Sequence, residues 1–363
     1  MSVEIQCWQM IGPDRPLERG VRSVDPTALE ADQVVVEIAG CGVCHTDLGF
    51  VYDGVRTRHE LPLTLGHEIS GRVVYAGTDA RDLMGRAVIV PAVIPCADCT
   101  ACRAGRGAIC SRQFFPGNDD HGGFASHVVT PSKGLCVVNE DKLAASGLEL
   151  ADLSVIADAL STPYQAILNA KLQAGDVAVF IGVGGVGAFG AQLAGALGAH
   201  VAAIDIDEAR LERLAPFGVE LSIRSSDDLR AVKTSLRTWA KERGYPTTGW
   251  KIFETSGHPN GQTLAYSLLG YDAHLGVVGY TRAKIEVRLS NLMAFDATVR
   301  GTWGCLPEHY PAVLEHVLNG SVELSQFVER RPMSQINETF EALREHTLKL
   351  RPVLVPDFDG SAP

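Results

Sequence analysis

The sequence has no excess of positive charge and no long apolar run, and each absence excludes a class of protein. Its 363 residues include 32 Lys and Arg against 43 Asp and Glu, for a net charge of −11. A chain with this balance is poorly suited to non-specific binding of nucleic acid, so we expect no nucleic-acid partner. No stretch of about 18 residues is free of charges and breakers, so we expect no membrane span.

A secretory leader and internal repeats are missing as well. The first residues, MSVEIQCWQMIGPDRP, contain no basic segment followed by an apolar one, which predicts a cytoplasmic protein. The chain shows no repeat of about 20 to 50 residues and no low-complexity segment. Its composition, 46% hydrophobic and 21% charged, is that of an ordinary globular protein. The length predicts two or three domains.

The character of the sequence changes near residue 155. Short β-branched runs bounded by Gly or Pro predict a mostly antiparallel, barrel-like domain before it, with strands at 32–40, 70–77, 85–93 and 125–130. Residues 153–172 then have a helical pattern that Pro163 breaks or restarts. Beyond them strands alternate with helices, which predicts βαβ units on a parallel sheet. These strands are predicted at 176–184, 200–207, 250–257 and 273–281, and the helices at 185–198 and 208–218.

Four of the nine cysteines lie close together in the segment PCADCTACRAGRGAIC. They are Cys96, Cys99, Cys102 and Cys110. In a reducing compartment such a cluster favours a metal over disulfides, which are the alternative. Four thiolates fill every position of a tetrahedral Zn²⁺ ion. We therefore predict a structural zinc in the lobe 96–110, away from the reaction centre.

A G-x-G-x-x-G pattern lies between a predicted strand and a predicted helix. Its glycines are Gly182, Gly184 and Gly187, and the turn GVGGVG also contains Gly185 and Val186. With Asp205 at the end of the next strand, this is the context of dinucleotide binding. The free N–H groups of the helix would face the pyrophosphate. The alternative is a Gly-rich turn that serves only packing.

Asp205 and Arg210 bear on the choice of nucleotide. The Asp205 carboxylate can accept hydrogen bonds from the adenosine ribose and would repel a 2′-phosphate, so NAD is favoured over NADP. Arg210, five residues further on, either flanks the same ribose or is exposed to solvent. The predicted nucleotide cofactor is NAD.

A second cysteine pattern, Cys41-x-x-Cys44, lies in GCGVCHTDLGF. A thioredoxin-like redox pair is one interpretation, but that motif belongs in a βαβ setting and this region is rich in predicted strands. The better interpretation takes Cys44 alone, together with GHE at 66–68 and DALSTPY at 158–164.

GVCHTD, LGHE, the four-cysteine lobe, DALSTPY and GVGGVG follow one another in this chain. In order and spacing they resemble the zinc-dependent medium-chain alcohol dehydrogenases, and the resemblance covers essentially the whole chain. It implies an α/β protein with a GroES-like barrel catalytic domain over residues 1–159 and an NAD-binding Rossmann domain over 160–302. Residues 303–363 are then expected to return to the catalytic domain.

The resemblance also implies a catalytic zinc with three protein ligands, Cys44, His67 and Asp158. Many relatives have a cysteine where this chain has Asp158. Glu68 resembles a glutamate that can enter the coordination shell of the metal. Asp47 resembles a carboxylate that orients the metal-bound imidazole.

The implied reaction is alkoxide formation at the zinc followed by hydride transfer from the carbinol carbon to NAD. Thr46 resembles the hydroxyl that contacts the substrate oxygen and passes its proton outward. His45 and Thr162 correspond to positions near the cofactor. Gly49 stands where many relatives have the histidine that completes the proton relay, so water or another base such as His59 would complete it here.

The loop over residues 49–68 borders the substrate pocket in this family. It carries Tyr52, Arg56, Arg58 and His59. The amino-acid sequence of this loop resembles that of family members that oxidise a ring alcohol on a CoA thioester. Arginine side chains suit the phosphates of CoA, although solvated loop arginines are the simpler alternative. We therefore predict oxidation of 6-hydroxycyclohex-1-ene-1-carbonyl-CoA to the 6-oxo enone.

Three further functions stay open at this point. They are a general zinc alcohol dehydrogenase for cyclic or benzylic alcohols, a zinc-free quinone reductase of the same superfamily, and a zinc- and NAD-binding interaction protein without activity. By resemblance we expect NAD and two zinc ions per chain, and a homo-oligomer, either a dimer or a tetramer.

Overall fold

The computed structural model describes residues 2–225 and 228–358, and its contacts divide the chain into two compact units. The first unit comprises Met1–Ser161, Gly304–Asn319 and Leu324–Pro363, and the second comprises Thr162–Trp303 and Gly320–Glu323. The domain boundaries given above, at 159/160 and 302/303, stay a prediction. Residues 359–363 of the predicted last segment lie outside the described residues.

The strands are short and most carry apolar side chains. They are β1 (Val3–Gln9), β2 (Glu18–Val24), β3 (Gln33–Gly42), β4 (Glu68–Ala76), β5 (Ala87–Val90), β6 (His127–Pro131), β7 (Cys136–Val137), β8 (Val177–Ile181), β9 (His200–Asp205), β10 (Val219–Arg224), β11 (Lys251–Glu254), β12 (His274–Val277), β13 (Thr298–Gly301), β14 (Val328–Pro332) and β15 (Arg351–Val355).

The helices lie mainly in the second half of the chain. They are α1 (His45–Tyr52), α2 (Thr100–Arg103), α3 (Glu140–Ser146), α4 (Ser161–Asn169), α5 (Gly187–Ala196), α6 (Glu208–Leu214), α7 (Leu229–Arg243), α8 (Pro259–Ser267), α9 (Ser290–Phe295), α10 (Tyr310–Leu318) and α11 (Ile336–Arg344). None of the helices in the described part of the chain is long and apolar enough to cross a membrane.

The sheet of the first unit is built around β3, which pairs antiparallel with β4, β6 and β15. The strand order is β14-β15-β3-β4-β5-β7, and among the described residues β14 and β15 are the one parallel pair along this order. Most of β3 is buried, which explains its nearly continuous apolar run, QVVVEIAGCG. The predicted, mostly antiparallel first domain is confirmed.

The core of the first unit holds α1 in place. Leu48, Phe50 and Val51 of this helix are buried in the same cluster as Val34 of β3 and Phe340 of α11. Burying a side chain of this size stabilises a fold by about 1.5–3 kcal/mol. The buried apolar side chains of α1 therefore fix the polar residues at its N-terminus.

The second unit contains a parallel six-stranded sheet of order β10-β9-β8-β11-β12-β13. The strand numbers run outward in both directions from the pair β8 and β11, so the topology switches between these two strands. Phe180 of β8 and Phe253 of β11 stack with ring centroids 4.7 Å apart. The predicted Rossmann-type sheet is confirmed, and in such sheets ligands bind beyond the carboxyl ends of the strands at the switch.

Residues 153–172 form two helical segments rather than one. A 3-10 helix covers Leu150–Ala157, and α4 begins at Ser161 with Pro163 in its first turn. Proline is tolerated there because the first N–H groups of a helix have no intrahelical acceptor. Asp158 lies in the break between the segments with φ −139° and ψ −57°.

Candidate metal and nucleotide sites

The segment around Cys44 is fixed by a fully buried carboxylate, Asp47. One oxygen, Oδ2, accepts the N–H of Cys44 at 2.9 Å. The other, Oδ1, accepts the N–H of Gly66 at 3.3 Å and lies 3.3 Å from Nδ1 of His67. Asp47 thus joins the start of α1 to the segment before β4, and it leaves Nε2 of His67 as the nitrogen that faces Asp158.

Four side chains converge next to Asp47. Ligand atoms of Cys44, His67, Glu68 and Asp158 all lie within 4.8 Å of one another. Oδ2 of Asp158 is 3.5 Å from Sγ of Cys44 and 3.7 Å from Nε2 of His67. A thiol, an imidazole and a carboxylate that face one point are the donor set of a catalytic zinc with an open fourth position.

The electrostatics of this cluster suit a cation. Burial acts to lower the pKa of His67, but the charge of Asp47 and hydrogen bonds with Asp158, Asp47 and Cys44 outweigh it and raise that pKa well above its usual value. The cluster therefore favours a positive charge at this point. A Zn²⁺ ion satisfies the same charge, so the residues present fit the metal.

Glu68 belongs to the cluster but is also held by Arg351, a residue that the sequence analysis missed. Nε of Arg351 donates to Oε2 of Glu68 at 3.0 Å, and Nη2 donates to Oε1. The N–H of Ala159 also donates to Oε1, at 3.2 Å. Burial raises the pKa of Glu68, although the charge of Arg351 opposes that rise. Coordination of a metal by Glu68 stays a prediction and requires this ion pair to loosen.

Space around Glu68 is limited by Gly42 in β3. A Cβ atom at this glycine would lie 2.0 Å from Oε2 of Glu68, which only a large shift could relieve. Arg351 is 8% exposed and Glu68 is fully buried. The one signal in the sequence for this pair was an arginine at the start of the apolar run RPVLV.

Thr46, Tyr310 and Phe115 border the same cluster. Oγ1 of Thr46 lies 3.7 Å from Sγ of Cys44. Tyr310 donates its hydroxyl to the carbonyl of Ala157, one residue before Asp158, at 2.5 Å. The ring of Phe115 meets that of His67 edge-on at 5.1 Å. Tyr310 and Phe115 were not identified from the sequence, because neither belongs to a short motif.

The four-cysteine lobe has the geometry of a metal site. Sulfur–sulfur distances are 3.4 Å for Cys96–Cys110, 3.5 Å for Cys99–Cys102, 3.7 Å for Cys99–Cys110 and 3.9 Å for Cys96–Cys102. A tetrahedral zinc with bonds of about 2.3 Å places its sulfurs about 3.8 Å apart, whereas a disulfide needs about 2.05 Å. All nine cysteines are free thiols, so the disulfide alternative is wrong and the predicted structural zinc site is confirmed.

The glycine-rich turn follows β8 as predicted. Gly182 has φ +85°, a conformation that favours glycine, and a Cβ atom at Gly187 would lie 2.0 Å from the carbonyl oxygen of Gly182. The turn continues through Gly184, Gly185 and Val186, and Val186 caps α5. At Gly184 the nearest heavy atom to an added Cβ is Nη1 of Arg210, at 3.7 Å. Gly184 therefore presents open backbone.

Asp205 ends β9 and contacts this turn directly. Its Oδ2 accepts the N–H of Val183 at 2.7 Å, and its Oδ1 accepts the N–H of Asp207 at 2.9 Å. Nη1 of Arg210 lies 3.9 Å from Oδ1 of Asp205. The structure thus brings Asp205, Arg210 and the glycine turn together. The ribose contact assigned to Asp205 and Arg210 stays a prediction.

The remaining predicted cofactor residues lie in different units. His45 is exposed at the start of α1, and its ring stacks on that of His346 with centroids 6.0 Å apart. Thr162 is buried in the first turn of α4. Their roles in cofactor binding stay predictions.

The four predicted substrate residues lie in different surroundings. The guanidinium of Arg344 lies 4.6 Å from the ring centroid of Tyr52. Nη1 of Arg58 donates to Oδ1 of Asp119 at 3.0 Å. Arg56 is exposed. His59 contacts His121, with ring centroids 4.8 Å apart.

His59, Asp120 and His121 form a further group of possible ligands. Nδ1 of His121 accepts the N–H of Thr64 at 3.2 Å, so Nε2 of the neutral ring carries the proton and has no free lone pair. His59 shows the opposite tautomer, because Nδ1 faces the carbonyl of Glu60 at 2.5 Å and must donate. This pairing of tautomers favours a hydrogen-bonded group over a metal site.

The chain is similar to known proteins over both units. Residues 30–140 match the alcohol dehydrogenase GroES-like domain, and residues 185–319 match the zinc-binding dehydrogenase family. Galactitol 1-phosphate 5-dehydrogenase of Escherichia coli is 30% identical over 294 residues, which cover 78% of this chain and 80% of that protein.

Solved structures agree over nearly the full length. The alcohol dehydrogenase of Aeropyrum pernix is 26% identical with a TM-score of 0.83, covering 97% of this chain and 100% of that one. An Escherichia coli alcohol dehydrogenase complexed with NADH has a TM-score of 0.81 at 18% identity, covering 97% and 99%. At this low identity, the similarity to the Escherichia coli structure shows that the two chains share a fold.

Breaking the buried pair between Glu68 and Arg351 should be costly. Arg351→Met leaves a carboxylate buried without its partner, so we expect the free energy of unfolding to fall by about 3–5 kcal/mol in urea denaturation of the zinc-loaded protein. Glu68→Gln with Arg351→Met should cost less than the sum of the single changes.

The matched control is Lys142→Met, which removes a pair with Glu315 whose side chains are 51% and 50% exposed. We expect a cost below about 1 kcal/mol for it. A cost for Arg351→Met no larger than that of the control contradicts the importance of the buried pair.

The stability of the first unit should depend on His121 in mild acid. Burial first, and then the charges of Arg22 and His59, lower the pKa of His121 from 6.5 to about 4. The folded state therefore keeps the ring neutral, and this stability is present above pH 6.5 and lost as the pH falls toward 4. Discounted for the partly exposed ring, the loss at pH 5 is about 1 kcal/mol.

His121→Asn keeps an acceptor for the N–H of Thr64 and removes the titrating ring. Urea denaturation at pH 7.5 and at pH 5.0 should show the wild type losing more stability than this variant. Equal losses in the two proteins would show that His121 has no part in the pH dependence.

Proposed function

The chain belongs to the zinc-dependent medium-chain alcohol dehydrogenases, and on that premise we propose that it transfers hydride from a secondary alcohol to NAD at the cluster of Cys44, His67 and Asp158. The observation that carries this proposal is the convergence of a thiol, an imidazole nitrogen and a carboxylate around one point, next to Thr46. Three such ligands leave the fourth position of a zinc for the substrate oxygen.

When bound, zinc supplies a Lewis acid for the alcohol oxygen, and NAD accepts the hydride. The side chains of the protein would hold the zinc ion in position. Asp47 faces the N–H at Nδ1 of His67, so His67 presents Nε2 to the metal. The negative charges of a Cys44 thiolate and the Asp158 carboxylate balance the charge of the ion. Phe115 packs edge-on against the His67 ring and helps to fix its orientation.

Thr46 moves the proton. Its Oγ1, 3.7 Å from Sγ of Cys44, accepts the proton of the alcohol and donates its own outward. Gly49 offers no side chain to receive it. Nδ1 of His59 donates to the carbonyl of Glu60, so Nε2 keeps its lone pair. We therefore assign the next step of the relay to water or to Nε2 of His59.

NAD binding is assigned to the turn from Gly182 to Gly187 and to Asp205. The N-terminus of α5 offers free N–H groups and the positive end of the helix dipole to the pyrophosphate. The buried Asp205 carboxylate favours NAD over NADP, because a 2′-phosphate would meet its charge. The Escherichia coli dehydrogenase of the same fold was solved with NADH, which supports the binding of a nicotinamide nucleotide at this parallel sheet.

For the substrate we propose a ring secondary alcohol carried on a CoA thioester, 6-hydroxycyclohex-1-ene-1-carbonyl-CoA. Its support is the two arginines of the loop over residues 49–68, of which Arg56 is exposed while Arg58 is already paired with Asp119. A phosphorylated polyol is the second candidate, favoured by the 30% identity to galactitol 1-phosphate 5-dehydrogenase. An arginine suits the phosphate groups of either substrate.

Three further candidate functions have less support. A general dehydrogenase for cyclic or benzylic alcohols has an uncharged substrate, so it needs no arginine in the loop over residues 49–68. A zinc-free quinone reductase should lack both ligand sets. A non-catalytic interaction protein should show a damaged cluster, whereas Cys44, Thr46 and His67 are all in place.

We propose that the enzyme is a cytoplasmic homo-oligomer, a dimer or a tetramer, that associates through β13. This edge strand of the parallel sheet is exposed along its whole length. Apolar side chains stand exposed in and near it, with Leu289 69%, Met293 79% and Val299 40% exposed. An open edge strand beside apolar surface is a template for pairing with a second copy.

The substrate proposal is tested by NADH production. We expect turnover with the hydroxycyclohexenoyl-CoA thioester to exceed that with the free acid, measured as kcat/KM at saturating NAD. Galactitol 1-phosphate and benzyl alcohol serve as comparison substrates. Equal efficiency with thioester and free acid removes CoA from the proposal, and preference for the polyol phosphate selects the second candidate. No turnover of any alcohol by zinc-loaded protein would refute the dehydrogenase assignment.

Asp205→Gly tests the nucleotide assignment. Loss of charge-assisted hydrogen bonds to the ribose should raise the KM for NAD by about tenfold or more. The ratio of kcat/KM for NADP to that for NAD should rise, because the repelling carboxylate is gone. Asp207→Gly, two residues along the chain and 46% exposed in its side chain, is the control. Unchanged use of NAD by the Asp205 variant would show the assignment to be wrong.

A further inference from the structure

The carboxyl ends of β8 and β11 are joined by a threonine outside the glycine-rich motif. Thr255 follows β11 directly, and its Oγ1 lies 2.7 Å from the carbonyl oxygen of Gly182 and 3.0 Å from that of Ile181. Its N–H also donates to the carbonyl of Ile181 at 2.9 Å. These contacts lie at the switch in strand order, where such sheets bind ligands.

The contact between Thr255 and Gly182 lies beneath the first residue of α5. A Cβ atom at Gly187 would lie 2.0 Å from the carbonyl oxygen of Gly182 and 2.5 Å from Oγ1 of Thr255. At Gly182 a Cβ atom would lie 2.4 Å from Cα of Ser256. The start of α5 thus packs on the hydrogen bond itself, so the position of the helix depends on it.

Glu254 makes the segment around Thr255 rigid. Its Oε1 accepts the N–H and the hydroxyl of Ser256 at 2.8 Å and 2.5 Å, and the N–H of Gly257 at 3.1 Å. Its backbone carbonyl accepts the N–H groups of Val278 and Gly279, both at 2.9 Å. Glu254 is 1% exposed. The carboxylate and carbonyl therefore join the segment after β11 to the end of β12.

We propose that Thr255 is a positioning residue for the nucleotide: its hydroxyl holds the carbonyl of Gly182 and thereby aims the N–H groups at the start of α5 toward the pyrophosphate. Glu254 supports it by fixing the segment from which the hydroxyl projects. The inference rests on the proposed binding of a dinucleotide at the glycine turn. It adds a residue far from that turn in sequence and assigns it to holding the turn rather than to binding the nucleotide directly.

Thr255→Val keeps the shape of the side chain and removes the hydroxyl, whereas Thr255→Ser keeps the hydroxyl. In fluorescence titration, we expect Thr255→Val to weaken NADH and ADP-ribose by about fivefold each, the effect of one hydrogen bond. Adenosine, which lacks the pyrophosphate, should bind unchanged. Thr255→Ser should restore binding. In steady-state assays the KM for NAD should rise far more than kcat falls.

Thr339→Val is the matched control, because the buried Thr339 also gives its hydroxyl to a backbone carbonyl, that of Gln335 at 2.8 Å, but in the first unit. It should leave NADH binding unchanged. Should Thr255→Val fail to fold, Thr255→Ala tests the same loss of the hydroxyl.

Two results would overturn the proposal. One is unchanged NADH and ADP-ribose binding by the variant without a hydroxyl. The other is an equal weakening of adenosine, which indicates general damage to the unit. Failure of the wild type itself to bind NADH would instead refute the proposed function on which the inference rests.

Discussion

The site in the first unit depends on a single buried carboxylate. Asp47 binds the backbone of Cys44 and Gly66 and faces the imidazole of His67, so one side chain sets the positions of two of the proposed metal ligands. Because it is shielded from water, its interactions are stronger than those of a surface acid. The buried apolar side chains of α1 hold this carboxylate in place, and in this way the hydrophobic core determines the geometry of the polar cluster.

Charge is balanced around the cluster in two layers. The inner acids and thiol attract a cation, and the same groups raise the pKa of His67. Behind them, Arg351 neutralises Glu68, whose charge would otherwise add to that of Asp158. A buried arginine paired in this way keeps the inner site close to neutral once a divalent ion is present.

Much of the fold and of the site could be predicted because the signals are local. The glycine turn, the four-cysteine lobe and GHE each occupy a few consecutive residues, and the alternation of strands and helices predicted the parallel sheet. The strand predicted at 85–93 is shorter, Ala87–Val90, because Pro91 has no N–H to continue the ladder. Arg351 could not be found in this way, since its partner lies 283 residues away. Thr255 and Tyr310 act through backbone carbonyls of distant segments, which leaves no pattern in the sequence.

The presence of Asp158 rather than a second thiol among the converging side chains affects how the protein responds to oxidants. Cys44 is the one thiol among the four converging side chains, so a sulfenic acid formed there has no neighbouring sulfur within the cluster to resolve it. In the lobe four sulfur–sulfur pairs lie 3.4–3.9 Å apart, and they include each of the four thiols, so each has a resolving partner. In a metal-depleted chain, oxidation in the lobe is therefore expected to stop at disulfides, whereas a sulfenic acid at Cys44 depends on an external thiol to escape further oxidation.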